Sequence, residues 1–163
     1  MSLFRREPEF QITDPAVMKV GEIARGEALR RRVRVVDPPY LLLGLLAVED
    51  ALVGDLFRRA NVDVPRARAR LEAGLPAVVG PPDARMTDRT LAYSGGATRT
   101  WERAGEEALA MGERGPAPVH LLIALLRDGG EAGTLLREAG LAADGVRGHL
   151  GHLQESAGPG QGR

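Results

Sequence analysis

Two almost wholly apolar heptapeptides, Tyr40-Leu-Leu-Leu-Gly-Leu-Leu46 and His120-Leu-Leu-Ile-Ala-Leu-Leu126, stand 80 residues apart in a chain of 163. Segments this apolar on every side must be buried, and their similarity suggests that the chain repeats itself. The surrounding sequence keeps the same offset. Glu27-Ala28-Leu29 matches Glu107-Ala108-Leu109, and Ala24 matches Ala104. Further on the offset falls to 79, where Leu56-Phe57-Arg58 matches Leu135-Leu136-Arg137, Ala60-Asn61-Val62 matches Ala139-Gly140-Leu141, and Leu71 matches Leu150. One residue deleted from a turn explains the change. Chance similarity in a leucine-rich chain would not preserve this order over about 55 residues, against typical repeat periods of 20–50.

Each half reads as four helices. Ala97, Trp101, Ala104, Ala108 and Met111 recur at helical spacing and form one apolar stripe, with Gly112 placed to end the helix. The segment 118–126 is a short buried helix, and its first-half counterpart opens with Asp37-Pro38-Pro39, an N-cap followed by proline at the first helical position. Helices over 52–60 and 131–139 end at Asn61 and Gly140, residues that tolerate a left-handed backbone. The last helices cover 65–73 and 143–153. Sustained period-2 alternation is absent, so the expected fold is all-α, two pseudo-symmetric four-helix repeats packed as one compact domain. The expected layout is an N-terminal arm (1–12), a first repeat (13–74), a Pro- and Gly-rich linker (75–92), a second repeat (93–153) and a disordered tail (154–163).

Composition excludes several functions. There is no cysteine, hence no disulfide scaffold, thiol nucleophile or cysteine-ligated metal. The 22 basic and 22 acidic residues cancel, so no overall charge favours nucleic acid. Of the basic residues only Lys19 is lysine. It lies between Met18 and Val20, outside any Gly-Lys-Ser/Thr phosphate loop. The N-terminus carries no secretory signal, and the longest apolar stretch, 40–48, is far short of the about 20 residues of a membrane span. A cytoplasmic protein without membrane contact is expected.

The candidate chemistry is thin. His149 and His152 share a helix face and could offer two metal ligands with Glu155 as a third, but a polar face near the helix end is the better reading. His120 opens a buried helix with no nucleophile beside it, and is read as a packing residue. Glu49-Asp50 and Glu106-Glu107 are read as solvated faces rather than paired catalytic acids. Gly129-Gly130 follows no strand and is not a phosphate loop. No metal, cofactor or catalytic residue is expected. Arg30, Arg31, Arg32 and Arg34 form the one concentrated charge, either steadying a helix C-terminus or meeting an acidic protein surface or, less favourably, DNA.

The ordered double pattern resembles the Clp N-terminal repeat domain, which fronts the Clp-type AAA+ unfoldases. The two leucine helices resemble that family's His-Leu-Leu-Leu-Gly-Leu-Leu segment. Glu27-Ala28 and Glu106-Glu107-Ala108-Leu-Ala-Met-Gly112 resemble its Glu-Glu-Ala-x-x-Leu-Gly ending. Leu56-Phe-Arg-Arg-Ala-Asn-Val62 and Leu135-Leu-Arg-Glu-Ala-Gly-Leu141 resemble its Val-Leu-x-x-Leu-Gly-Val turn. Tyr93-Ser94 resembles the Phe-Thr pair that opens each unit, with Ile12-Thr13 as the first-half equivalent after a one-residue slip. The likeness spans about residues 12–153. It implies a non-enzymatic module, here as a stand-alone protein without the ATPase modules, that binds peptides, adaptors or cyclic peptide ligands. Such a module would modulate a Clp protease system or act as a decoy for N-domain ligands, cyclic peptide antibiotics among them. The implied groove is flanked by Phe10, Ile12, Thr13, Tyr93, Ser94 and Trp101. The glutamates that help related unfoldases read phosphorylated arginine are replaced by Pro39 and Val119, so the resemblance does not carry that specificity to this chain. The alternative is a regulatory protein that uses Arg30–Arg34 on an acidic protein or DNA.

Overall fold

A computed structural model describes residues 14–81, 85–86 and 91–158. Eight helices and one pair of very short strands occur among them. The order is α1 (Pro15–Arg30), β1 (Val35–Val36), α2 (Pro38–Ala47), α3 (Ala51–Arg59), α4 (Val64–Ala73), β2 (Ala92–Tyr93), α5 (Gly95–Ala110), α6 (Pro118–Leu126), α7 (Glu131–Glu138) and α8 (Ala143–Ser156). The all-α expectation holds. The strand pair is its one exception, a parallel match of Val35 with Ala92 and Val36 with Tyr93 that is too short to leave an alternating signature. The final helix runs to Ser156, so Gln154, Glu155 and Ser156 are helical rather than part of a disordered tail. The expected arm (1–12) and the end of the tail lie outside the described residues.

Helix starts follow from local chemistry. The Asp14 carboxylate accepts the Ala16 N–H at 2.8 Å, and Pro15 takes the first turn, where no N–H is needed. Ser94 Oγ accepts the Ala97 N–H at 3.1 Å, and Asp50 and Asp63 cap α3 and α4 in the same way. Asp37 occupies the N-cap of α2, but its side chain makes no capping bond there. Ser94 minus 80 is Asp14, so the opening residue of the first unit is Asp14. No one-residue slip through Thr13 is needed.

Helix ends repeat as well. At the end of α5 the Gly112 N–H donates to the Leu109 carbonyl at 3.0 Å and the Glu113 N–H to the Ala108 carbonyl at 2.9 Å. The end of α1 makes the same two bonds through Arg32 and Val33, each at 2.9 Å. Gly112 therefore takes a positive φ of 81°, and its counterpart Arg32 takes 54°, a conformation that a side chain with a Cβ adopts only at a cost. Asn61 and Gly140 repeat the motif after α3 and α7, with φ of 53° and 98°.

The core sits between the units. Tyr40 to Leu45 of α2 are all buried, as is every residue of α6 from Pro118 to Leu126. These helices pack against each other, α1 covers α2, and α5 covers α6. Packing of α1 on α2 is close enough that Gly44 faces the Val20 main chain, and a Cβ added at Gly44 would run into the Val20 carbonyl oxygen well inside van der Waals contact. The segment after α4 crosses back over the first unit, with the Val79 N–H donating to the Arg30 carbonyl at 2.9 Å. It then reaches β2, where Ser94 N–H donates to the Val36 carbonyl at 3.0 Å and so ties the start of the second unit to the first.

Gly44→Ala is expected to cost about 1–3 kcal/mol, because the helices must separate to admit one methyl group. Gly148→Ala, in α8 with open space around its Cα, should be neutral or stabilising by about 0.5–1 kcal/mol. Midpoints of urea unfolding distinguish the two.

Candidate binding surface at the seam

The first helix of each unit carries one buried glutamate, and the two are treated alike. Glu27 on α1 is 6% exposed and pairs with Arg31, with Arg30 at 3.0 Å and with Arg68 of α4 at 3.7 Å. Glu107 on α5, also 6% exposed, pairs with Arg127 and with Arg147 of α8 at 3.0 Å. Arg68 and Arg147 are repeat partners, so each unit fastens its last helix to its first through one Glu–Arg pair. Glu107 is therefore not on a solvated face. Its neighbour Glu106 is exposed, as is Glu49, while Asp50 is taken by the α3 cap.

The same network dismantles the arginine cluster. Arg31 is 5% exposed, with Nη1 also donating to the Glu27 carbonyl at 3.1 Å and Nη2 standing 3.9 Å from Glu72. It is unavailable to any outside anion. Arg30 is half-engaged by Glu27, and Arg32 is held in the helix-ending turn. Arg32 and Arg34 keep exposed side chains without an ion-pair partner among the described residues.

Tyr93, Ser94 and Trp101 come together where the second unit opens. The Tyr93 and Trp101 rings meet edge to face, centroids 6.3 Å apart and planes at 74°. Arg25 of α1 donates from Nη1 to the Tyr93 hydroxyl at 2.9 Å. Gly21 of α1 lies beneath both rings, 3.6 Å from the Tyr93 hydroxyl and 4.0 Å from Trp101 Cζ2 when measured from an added Cβ. Gly21 and Trp101 are themselves repeat partners, so one unit supplies the ring and the other the space for it. Trp101 is 6% exposed and belongs to the core rather than to an open groove. Its indole nitrogen has no hydrogen-bond partner among the described residues. Tyr93 is half-buried, and Ser94 caps α5. Phe10, Ile12 and Thr13 lie outside the described residues.

Met18 is a surface residue that the sequence analysis did not single out. It stands one turn before Gly21 and two before Arg25 on the same stripe of α1, and it is 53% exposed. A flexible, polarisable side chain open to solvent on the stripe that carries Gly21 and Arg25 suits contact with varied apolar partners.

The three histidines each meet a partner of their own. His120 Nδ1 accepts the Ala117 N–H at 2.9 Å, reaching back over the first turn of α6, and burial pushes its pKa below the usual 6.5. His149 faces Asp55 and His152 faces Glu155. No group of three metal-ligating side chains occurs among the described residues. No helix there is long and apolar enough to cross a membrane.

The chain matches the Clp repeat (R) N-terminal domain family over residues 17–139 and belongs to that family. Three solved structures share its fold. One comes from structural work on a malarial protein secretion system, with 17% identity, TM-score 0.69, and 85% of this chain and 92% of the other covered. The N-terminal domain of the caseinolytic protease associated chaperone ClpD from Arabidopsis thaliana gives 21%, 0.60, and 82% and 88%. The Hsp104 N-terminal domain from Candida albicans gives 19%, 0.61, and 79% and 82%. The chain is thus a Clp-type N-domain module.

Two outcomes follow. Glu107→Ala should destabilise the protein by about 2–3 kcal/mol, somewhat below the loss for a fully buried pair because both arginines are partly exposed. His120 is held neutral in the folded state, so its stabilising contribution is complete above pH 6.5 and falls as pH drops below 6.5 toward its depressed folded pKa. In His120→Gln that component of the acid-side loss should vanish in pH-resolved denaturation curves.

Proposed function

We propose that this protein is a non-catalytic binding module that engages peptide segments or adaptor proteins at the seam where α1 meets the start of α5, and through them modulates a Clp-type protease system. The observation carrying this reading is the junction of the two units at half-buried Tyr93, which is held to α1 by the Arg25 hydrogen bond and against Trp101, with exposed Met18 on the same stripe of α1 as Gly21 and Arg25. An apolar patch fixed by polar bonds at its edge is pre-organised for association, which lowers the ordering cost of binding. Membership of the Clp N-domain family supports a protein partner in preference to a small-molecule substrate. The cluster at Arg30–Arg34 supports the alternative poorly, since Arg31 is buried in an ion pair with Glu27 and Arg30 pairs with the same carboxylate.

Calorimetric titration of the full chain with Clp adaptor proteins and unstructured model peptides tests the proposal. Saturable binding is expected, and Met18→Asp should weaken it roughly tenfold, a loss of about 1.4 kcal/mol, while leaving the melting temperature nearly unchanged because Met18 is exposed. Absence of heat with every adaptor and peptide, or full affinity in Met18→Asp, would remove the seam as the binding site.

A further inference from the structure

A second surface lies away from that seam. The turn between α3 and α4, the first two turns of α4, and α7 enclose an open cavity of about 560 Å³ that both units line. Its floor is apolar, made by buried Ala67 and Leu135 with half-buried Val62. Its rim is charged. Arg66 and Arg70 stand one turn apart on α4, and Glu138 faces them from α7.

The charges on this rim are unequally engaged. Arg70 already pairs with Glu138, at 2.5 Å, bridging the two units. The Asp63 carboxylate is spent on the N-terminus of α4, where it accepts the Arg66 N–H at 3.0 Å. Arg66 is exposed, and its guanidinium has no hydrogen-bond or ion-pair partner among the described residues. An anion entering the cavity would therefore meet one guanidinium ready for a forked pair, above a floor that rewards apolar side chains.

We propose that this cavity is a docking site for a partner protein's peptide segment in which a glutamate or aspartate is flanked by apolar residues, the carboxylate meeting Arg66 and the apolar side chains resting on Ala67, Leu135 and Val62. The volume falls within the range of about 300–1,000 Å³ that suits a few side chains. Nucleic acid is the poorer fit, because Asp63 and Glu138 stand on the same rim and would repel a phosphate backbone. This inference rests on the reading of the chain as a protein-binding module, but assigns a different surface and a charge preference.

Fluorescence anisotropy with a labelled short peptide of alternating leucine and glutamate tests it, beside the same peptide carrying glutamine in place of glutamate and a labelled DNA duplex. The glutamate peptide should bind at least roughly tenfold more tightly than the glutamine peptide. Arg66→Glu should abolish that preference with an unchanged melting curve, and Arg103→Glu, an exposed charge reversal on α5, should preserve it. Equal binding of the two peptides, retention of the preference in Arg66→Glu, or DNA bound ahead of both would overturn the assignment of this cavity. If peptides bind without charge preference, the module reading survives and only the cavity is lost. If none binds, both fall.

Discussion

Everything else in this molecule depends on the mutual burial of α2 and α6. Neither helix has a polar face to offer water, so neither unit can present a soluble surface without the other. The duplication then ceases to be two modules on a string. It becomes one core built from two halves, each covering its own apolar helix with a long first helix and meeting its partner's apolar helix at the centre. The close Gly44–Val20 approach, the Schellman endings at Arg32 and Gly112, and the paired glutamates Glu27 and Glu107 are local means of holding each half to that geometry.

The seam is where pseudo-symmetry breaks, and function follows the break. Identical units would place identical residues at positions 21 and 101, and two rings could not share that space. One glycine and one tryptophan solve the packing, and the tryptophan in turn positions Tyr93. The same asymmetry appears at Tyr40 and His120, equivalent first-turn residues of α2 and α6. His120 finds a main-chain donor, while burial raises the pKa of Tyr40 and leaves its hydroxyl without a partner among the described residues.

Much of the architecture could be read from residue order alone. The bounds of α6 and the left-handed turns at Asn61, Gly112 and Gly140 follow from apolar runs and from residue types suited to positive φ. Arg32 escaped because nothing in an arginine advertises that conformation, and only the repeat with Gly112 reveals it. The burial of Arg31 and Glu107 escaped for a different reason. Glu107 pairs with Arg127 and Arg147, both distant in sequence, and although Arg31 pairs with nearby Glu27 its burial comes from the packing of α4, so charge runs read locally look solvated. β1 and β2 are two residues each, below the length at which alternation carries information. The Arg66 cavity and the exposure of Met18 depend on how the units sit together, which no local pattern encodes.

The most direct test of a shared core is equilibrium unfolding in guanidinium chloride followed by two probes at once. Trp101, the sole tryptophan, reports the seam between the units from α5, whereas far-UV ellipticity reports the helices of both. A core common to the two units predicts coincident transitions with a single midpoint. Separate midpoints, with helix lost in one step before or after the Trp101 signal moves, would mean that the units fold independently and would contradict the account.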